Sequence, residues 1–194
     1  MSKRKVDSSI LPDDVEALKN RIRELEGMAG NNSVIKMDDL IPVMSLLFYP
    51  MNLSTKERGQ GDTFRFDKFG QVKRIVYSKL LSIIEVHQKF LDWGYFIIMD
   101  DRVLKAHGLT EKYEKILNKE KIERILNSED GALELYKSSN EEQQKTIIGM
   151  IINQLRENPN SMDMNVIDAI SRFSGIKIME KVEDSVAALS TKNE

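Results

Sequence analysis

The sequence predicts a mainly α-helical protein: a bundle-like helical body holding a small β-hairpin or three-stranded sheet, preceded by an N-terminal arm helix. Three observations predict it. Aliphatic residues recur at helical spacing through most of the C-terminal half. Residues suited to helix starts and stops, such as Asp100, Asn140, Gly108 and Gly175, stand at the ends of those periodic stretches. Alternation of the β type is confined to residues 64–77, with one further short apolar run at 95–99.

Residues 1–11 read as a flexible N-terminus. Pro12-Asp13-Asp14 opens the arm helix, with acids where the N-terminal dipole favours them. Val15, Leu18, Ile22 and Leu25 follow at 3-4-3 spacing, which draws an apolar seam along residues 12–29. An isolated helix of that length is marginal in water, so another surface must cover the seam. That surface is either the rest of the chain, a copy of it, or a protein partner. Residues 30–33, rich in Gly, Asn and Ser, read as a linker.

The central region, 34–126, is expected to be α+β. Leu40, Ile41, Met44, Leu47 and Phe48 after Asp38-Asp39 suggest a short helix ending before Pro50. Thr55–Asp62 reads as a polar loop. Residues 64–69 and 72–77 alternate on either side of Gly70-Gln71, which predicts a hairpin of those two runs. A helix follows from about Ser78 to Gly94, then Tyr95–Met99 as a third strand. Short helices are expected after Asp100, from Thr110, and over 119–126. The C-terminal region, 127–178, reads as helices over 131–137, from Glu141 to the Asn158-Pro159 stop, and over 162–173. Residues 179–194 read as an acidic, frayed tail.

Composition narrows the function. Apolar residues make up 41% of the 194 positions, enough for a sizeable core. The absence of cysteine removes disulfides, thiolate metal sites and thiol catalysis. No stretch is long and apolar enough for a membrane span, and Met1–Asp14 lacks the apolar core of a secretory signal. The expected location is cytoplasmic. From Lys56 to Lys79 there are seven Lys/Arg against three Asp/Glu, whereas from Asn127 onward there are seven against twelve.

Catalytic patterns are missing. His87 and His107 lack metal-ligand spacing, and no cofactor is expected. The acid pairs Asp38-Asp39, Asp100-Asp101 and Glu141-Glu142 stand where helix starts favour acids. Gly59-Gln60-Gly61 lacks the third glycine and the preceding strand of a dinucleotide loop. One constellation stands out: Phe64, Phe66 and Phe69 interleave with Arg65, Lys68, Lys73 and Arg74. Rings can stack on unpaired bases while cations meet phosphates, so single-stranded nucleic acid is a candidate ligand. The same alternation also fits rings turned inward as a hairpin's buried face, or a protein contact.

Tyr49–Thr55, Phe66–Leu80 and Gly94–Leu109 together resemble a set of uncharacterised tailed-bacteriophage proteins. These carry FG-x-x-(K/R)-x-I-x-(Y/F)-x-x-L followed by G-(Y/F)-x-x-I-x-D, which is matched here by Phe69–Leu80 and Gly94–Asp100. The resemblance covers about residues 49–109 and implies a viral protein of the host cytoplasm or the virion. The expectation is a non-enzymatic interaction or assembly protein, with single-strand binding through 56–79 as the alternative.

Overall fold

A computed structural model describes residues 34–190, and the expectations for 1–33 and 191–194 lie outside the described residues. The fold is mainly helical, with one three-stranded and one two-stranded antiparallel sheet. The strands are β1 (Leu40–Ser45), β2 (Met51–Ser54), β3 (Thr63–Phe66), β4 (Val72–Val76) and β5 (Phe96–Ile98). The three-stranded sheet runs β4-β1-β5, and β2 pairs with β3.

The short helix expected over 40–48 is instead the central strand β1. Its apolar run is buried through Ile41, Val43, Met44, Leu46 and Leu47. Such a short buried run has no period that separates helix from strand. What selects the strand is the pair of partners that chain reversal brings beside it. Pro42 in a central strand looks anomalous, because it lacks a donor. The register removes the difficulty. Met99 N–H donates to the Pro42 carbonyl at 2.8 Å, one residue past the end of β5. The missing N–H therefore falls at the last rung of the β1–β5 ladder.

The expected hairpin of 64–69 with 72–77 is also corrected. Both runs are extended, but they pair with different strands. β3 lies against β2, with Leu53 opposite Phe64 and Met51 opposite Phe66. β4 lies against β1, with Ile41 opposite Ile75 and Val43 opposite Lys73. Gly70 N–H donates to the Ser45 carbonyl and Ser45 N–H to the Gln71 carbonyl, so the turn is pinned to the end of β1. The loop 55–62 joins β2 and β3, as its composition suggested.

Helix α1 (Tyr77–Val86) follows β4 directly and breaks at His87 before the short α2 (Gln88–Asp92). Leu80 and Ile83 are buried, and α1 contacts β1, β2 and β4. After β5, Asp100 caps α3 (Asp101–Ala106) by accepting the Arg102 N–H. Then come α4 (Thr110–Glu114), α5 (Lys119–Leu126) and α6 (Ala132–Ser138). Asn118 and Asn140 cap α5 and the long α7 (Glu141–Glu157) by accepting the Lys121 and Gln143 N–H groups. Asp163 caps α8 (Met164–Ser174). Residues 179–190, part of the tail expected to fray, instead belong to α9 (Ile178–Ser190). Ile178 and Val182 are buried on it, and the helix packs against α7.

The helical half and the sheet share one apolar cluster, which runs from Met44 and Leu46 through Ile116, Leu117 and Ile122 to Ile147, Ile151, Ile167 and Ile178. Two features of α7 position it there. Gln143 is buried, and its side-chain amide accepts the Leu117 N–H at 2.8 Å and donates to the Leu117 carbonyl at 2.9 Å. Gly149 lets the Phe48 ring approach the helix so closely that a Cβ would sit 2.7 Å from it. A mid-helix glycine costs about 1 kcal/mol in propensity, which this contact offsets.

Gln143→Leu leaves both Leu117 backbone groups buried and unpaired. A loss of roughly 2–5 kcal/mol in urea unfolding is expected. Gly149→Ala is expected to destabilise the wild-type chain by overpacking against Phe48. In a Phe48→Ala background the same change is expected to stabilise by about 1 kcal/mol, a sign reversal that thermal denaturation of the four proteins would read.

Candidate functional site

The basic and aromatic segment is divided by the fold rather than gathered on one surface. On β3, Phe66 is fully buried and Phe64 half-buried, while Arg65 is exposed between them. The Phe66 ring thus offers no face to a base, and its neighbour Lys73 places Nζ 6.0 Å from the ring centroid. Phe69 is half-buried against the shared cluster. Arg65 is held by Asp67 at 2.6 Å. Lys68 and Arg74 are exposed and form no ion pair among the described residues. What remains accessible is cationic rather than aromatic. The seam residues Val15, Leu18, Ile22 and Leu25 lie outside the described residues.

The paired acids turn out to be structural anchors. Arg102 donates to Asp100 at 2.8 Å and to Asp39 at 3.2 Å, which ties the start of α3 to the residue before β1. The Arg102 guanidinium holds the Asp100 carboxyl below its ordinary range. Glu142 accepts from Lys145 at 2.7 Å and from the Tyr95 hydroxyl at 3.2 Å. Burial, the Tyr49 phenol and the Glu142 carboxylate push the Tyr95 phenol up to about 12. The same burial and carboxylate raise Tyr49. Both phenols stay neutral at ordinary pH. No group of three or more metal-ligating side chains occurs among the described residues.

Sequence reasoning missed the partners of both histidines, which come from distant positions. His107 Nε2 lies 3.0 Å from the Tyr77 hydroxyl. His87 stands at the break between α1 and α2. Its Nε2 accepts the Ser54 N–H at 2.9 Å and lies 3.2 Å from Ser54 Oγ. A serine and a histidine at this distance contain the atoms of a nucleophile and its base. The hydrogen bonds assign them another role. Ser54 Oγ donates to the Lys56 carbonyl at 2.8 Å, and the Nε2 lone pair is taken by the backbone donor. Ser54 is also buried. The pair therefore fastens the end of β2 to α1, and the imidazole must be neutral, with its proton on Nδ1. Glu57, Arg58, Glu85 and Lys89 line the shallow groove beside it.

Around the same helix break, Phe90, Trp93 and Tyr95 form a compact ring cluster with centroids 5.3–6.0 Å apart. All three are half-buried. No helix among the described residues is long and apolar enough to cross a membrane. Comparison of the chain with protein-family models, with curated proteins and with solved structures returns no match.

Burial lowers the affinity of His87 for a proton relative to the unfolded chain. The unfolded state then binds more protons in the interval between the two pKa values, so stability rises with pH there. The contribution is complete above the unfolded value of about 6.5 and is lost as pH falls toward the depressed folded value. Urea midpoints measured from about pH 7.5 to about pH 5 should fall more steeply for the wild type than for His87→Gln.

Proposed function

We propose that this chain is a protein-interaction or assembly protein that acts through its N-terminal segment. The observation that carries the reading is the 3-4-3 spacing of Val15, Leu18, Ile22 and Leu25. Two heptads make an apolar stripe too short to be stable alone, and a copy of the same stripe is the partner that matches it in length and pattern. Gly27, Gly30, Asn31 and Asn32 follow it and supply a break in the chain before the body. The body beginning at Lys36 forms a compact unit of its own. A virion-associated or regulatory role fits the resemblance to bacteriophage proteins.

Light scattering of the full chain and of a Leu18→Glu, Ile22→Glu double variant tests this. The wild type is expected at a multiple of the monomer mass and the variant at the monomer mass. A wild type that stays monomeric at every concentration overturns assembly through the seam.

A further inference from the structure

The two edges of the three-stranded sheet are finished differently. In an antiparallel ladder, alternate residues bond one neighbour, and the residues between them turn their N–H and C=O groups the other way. On β5 the outward N–H of Ile98 donates to the Tyr113 hydroxyl at 2.7 Å, so a side chain from α4 occupies that edge. On β4 the phase is set at both ends, where Ser45 N–H reaches the Gln71 carbonyl and Tyr77 N–H reaches the Asp39 carbonyl. Lys73 and Ile75 therefore bond β1. Val72, Arg74 and Val76 turn their backbone groups outward, and β4 pairs with no strand other than β1 among the described residues.

The surface beside this edge is apolar and open. The side chains of Val72, Arg74 and Val76 share the outer face of the sheet with Leu40 and Pro42, their partners in the register. Leu40 is 57% exposed, Val72 45% and, just past β5, Met99 48%. The charge along the edge has one sign. Residues 68–79 contain four Lys/Arg and no Asp/Glu, and of the four only Lys79 meets a carboxylate, that of Asp62 at 3.0 Å. The backbone groups of Val72 and Arg74 and the N–H of Val76, the apolar face beside them and the cations Lys73 and Arg74 together describe a strand-addition site.

We propose that the β4 edge receives an extended segment of another protein, which adds as a fourth strand and carries carboxylates opposite Lys73 and Arg74 and apolar residues opposite Val72 and Val76. A second copy is the poorer occupant, because pairing two β4 edges about a two-fold axis centred on Arg74 sets that cation against its own copy. Nucleic acid would meet the cations, but it has no alternating N–H and C=O groups to match the row. This surface lies on the body and does not rest on the N-terminal seam.

The test is amide NMR of the full chain titrated with the capped peptide Val-Glu-Glu-Glu-Val and, separately, with Val-Lys-Lys-Lys-Val at millimolar concentration. With the acidic peptide, the Val72, Arg74 and Val76 amides are expected to shift and to gain protection from hydrogen exchange. The lysine peptide is expected to bind about tenfold more weakly or worse. Arg74→Pro removes an outward donor without removing a bond to β1, and it should abolish the response. Arg74→Glu should reverse the preference between the two peptides, and it decides the matter if circular dichroism shows that the proline variant unfolds. No change at those three amides, equal affinity for the two peptides, or the same protection appearing with protein concentration alone would each overturn the assignment. The last outcome would give the edge to a second copy.

Discussion

The buried side-chain amide of Gln143 does for the backbone at Leu117 what a neighbouring peptide group would do. It matches one donor and one acceptor at 2.8 and 2.9 Å, where water cannot reach. Leu117 ends the connection from the sheet to the helical half, and Gln143 lies in the first turn of α7, the longest helix among the described residues. The room for this contact is tight. A Cβ on Gly94 would sit 2.9 Å from the Ile116 side chain and 3.0 Å from Gln143 Nε2. Asn140, which caps α7, also reaches the Trp93 carbonyl. One turn of helix therefore holds both the segment before β5 and the segment before α5. A hydrogen bond contributes modestly when made, but a buried group left unpaired is costly. The join is specified more sharply than apolar packing alone would specify it.

From that join the rest of α7 is set down along the shared cluster, and Gly149 decides how close it comes to Phe48. The consequence for the sheet is unequal coverage. The face bearing Ile41, Val43, Ile75, Phe96 and Ile98 is buried, while the opposite face is covered at Met44 and open at Leu40 and Val72. The edges follow the same asymmetry, with Tyr113 seated on β5 and nothing of that kind on β4 among the described residues. The body's polar clusters are spent on its own joints: Arg102 on Asp39 and Asp100, His87 on Ser54, and Glu142 on Tyr95 and Lys145.

Several elements were legible before any fold was in hand. Asp100 and Asn140 each accept a backbone N–H at the start of a helix, because a short polar side chain there satisfies a donor the helix leaves free. The third strand at 96–98 was readable from its short apolar run, and the extended course of 63–66 and 72–76 from alternation. Other features were not readable. The 40–45 segment looks like a helix because its apolar residues also satisfy a 3.6 period. Residues 178–190 look weakly amphipathic until α7 lies beside them and buries Ile178 and Val182. Within the candidate basic segment, the cations were visible, but the loss of the Phe66 ring to the core depended on β2 arriving opposite it.

By itself, then, the sequence determined local matters: most of the helical stretches, where several of them start and stop, and which residues alternate. These follow from interactions among residues a few positions apart, and spacing carries that information. Tertiary structure alone decided that β3 and β4 part company, that β1 is a strand with Pro42 at the end of a ladder, and that His87 meets Ser54 and Gln143 meets Leu117. It alone left one edge of the sheet without a further strand among the described residues. Each of those outcomes pairs groups far apart in the chain, and the free energy that selects them exists only once burial has made an unpaired donor or a one-residue slip expensive.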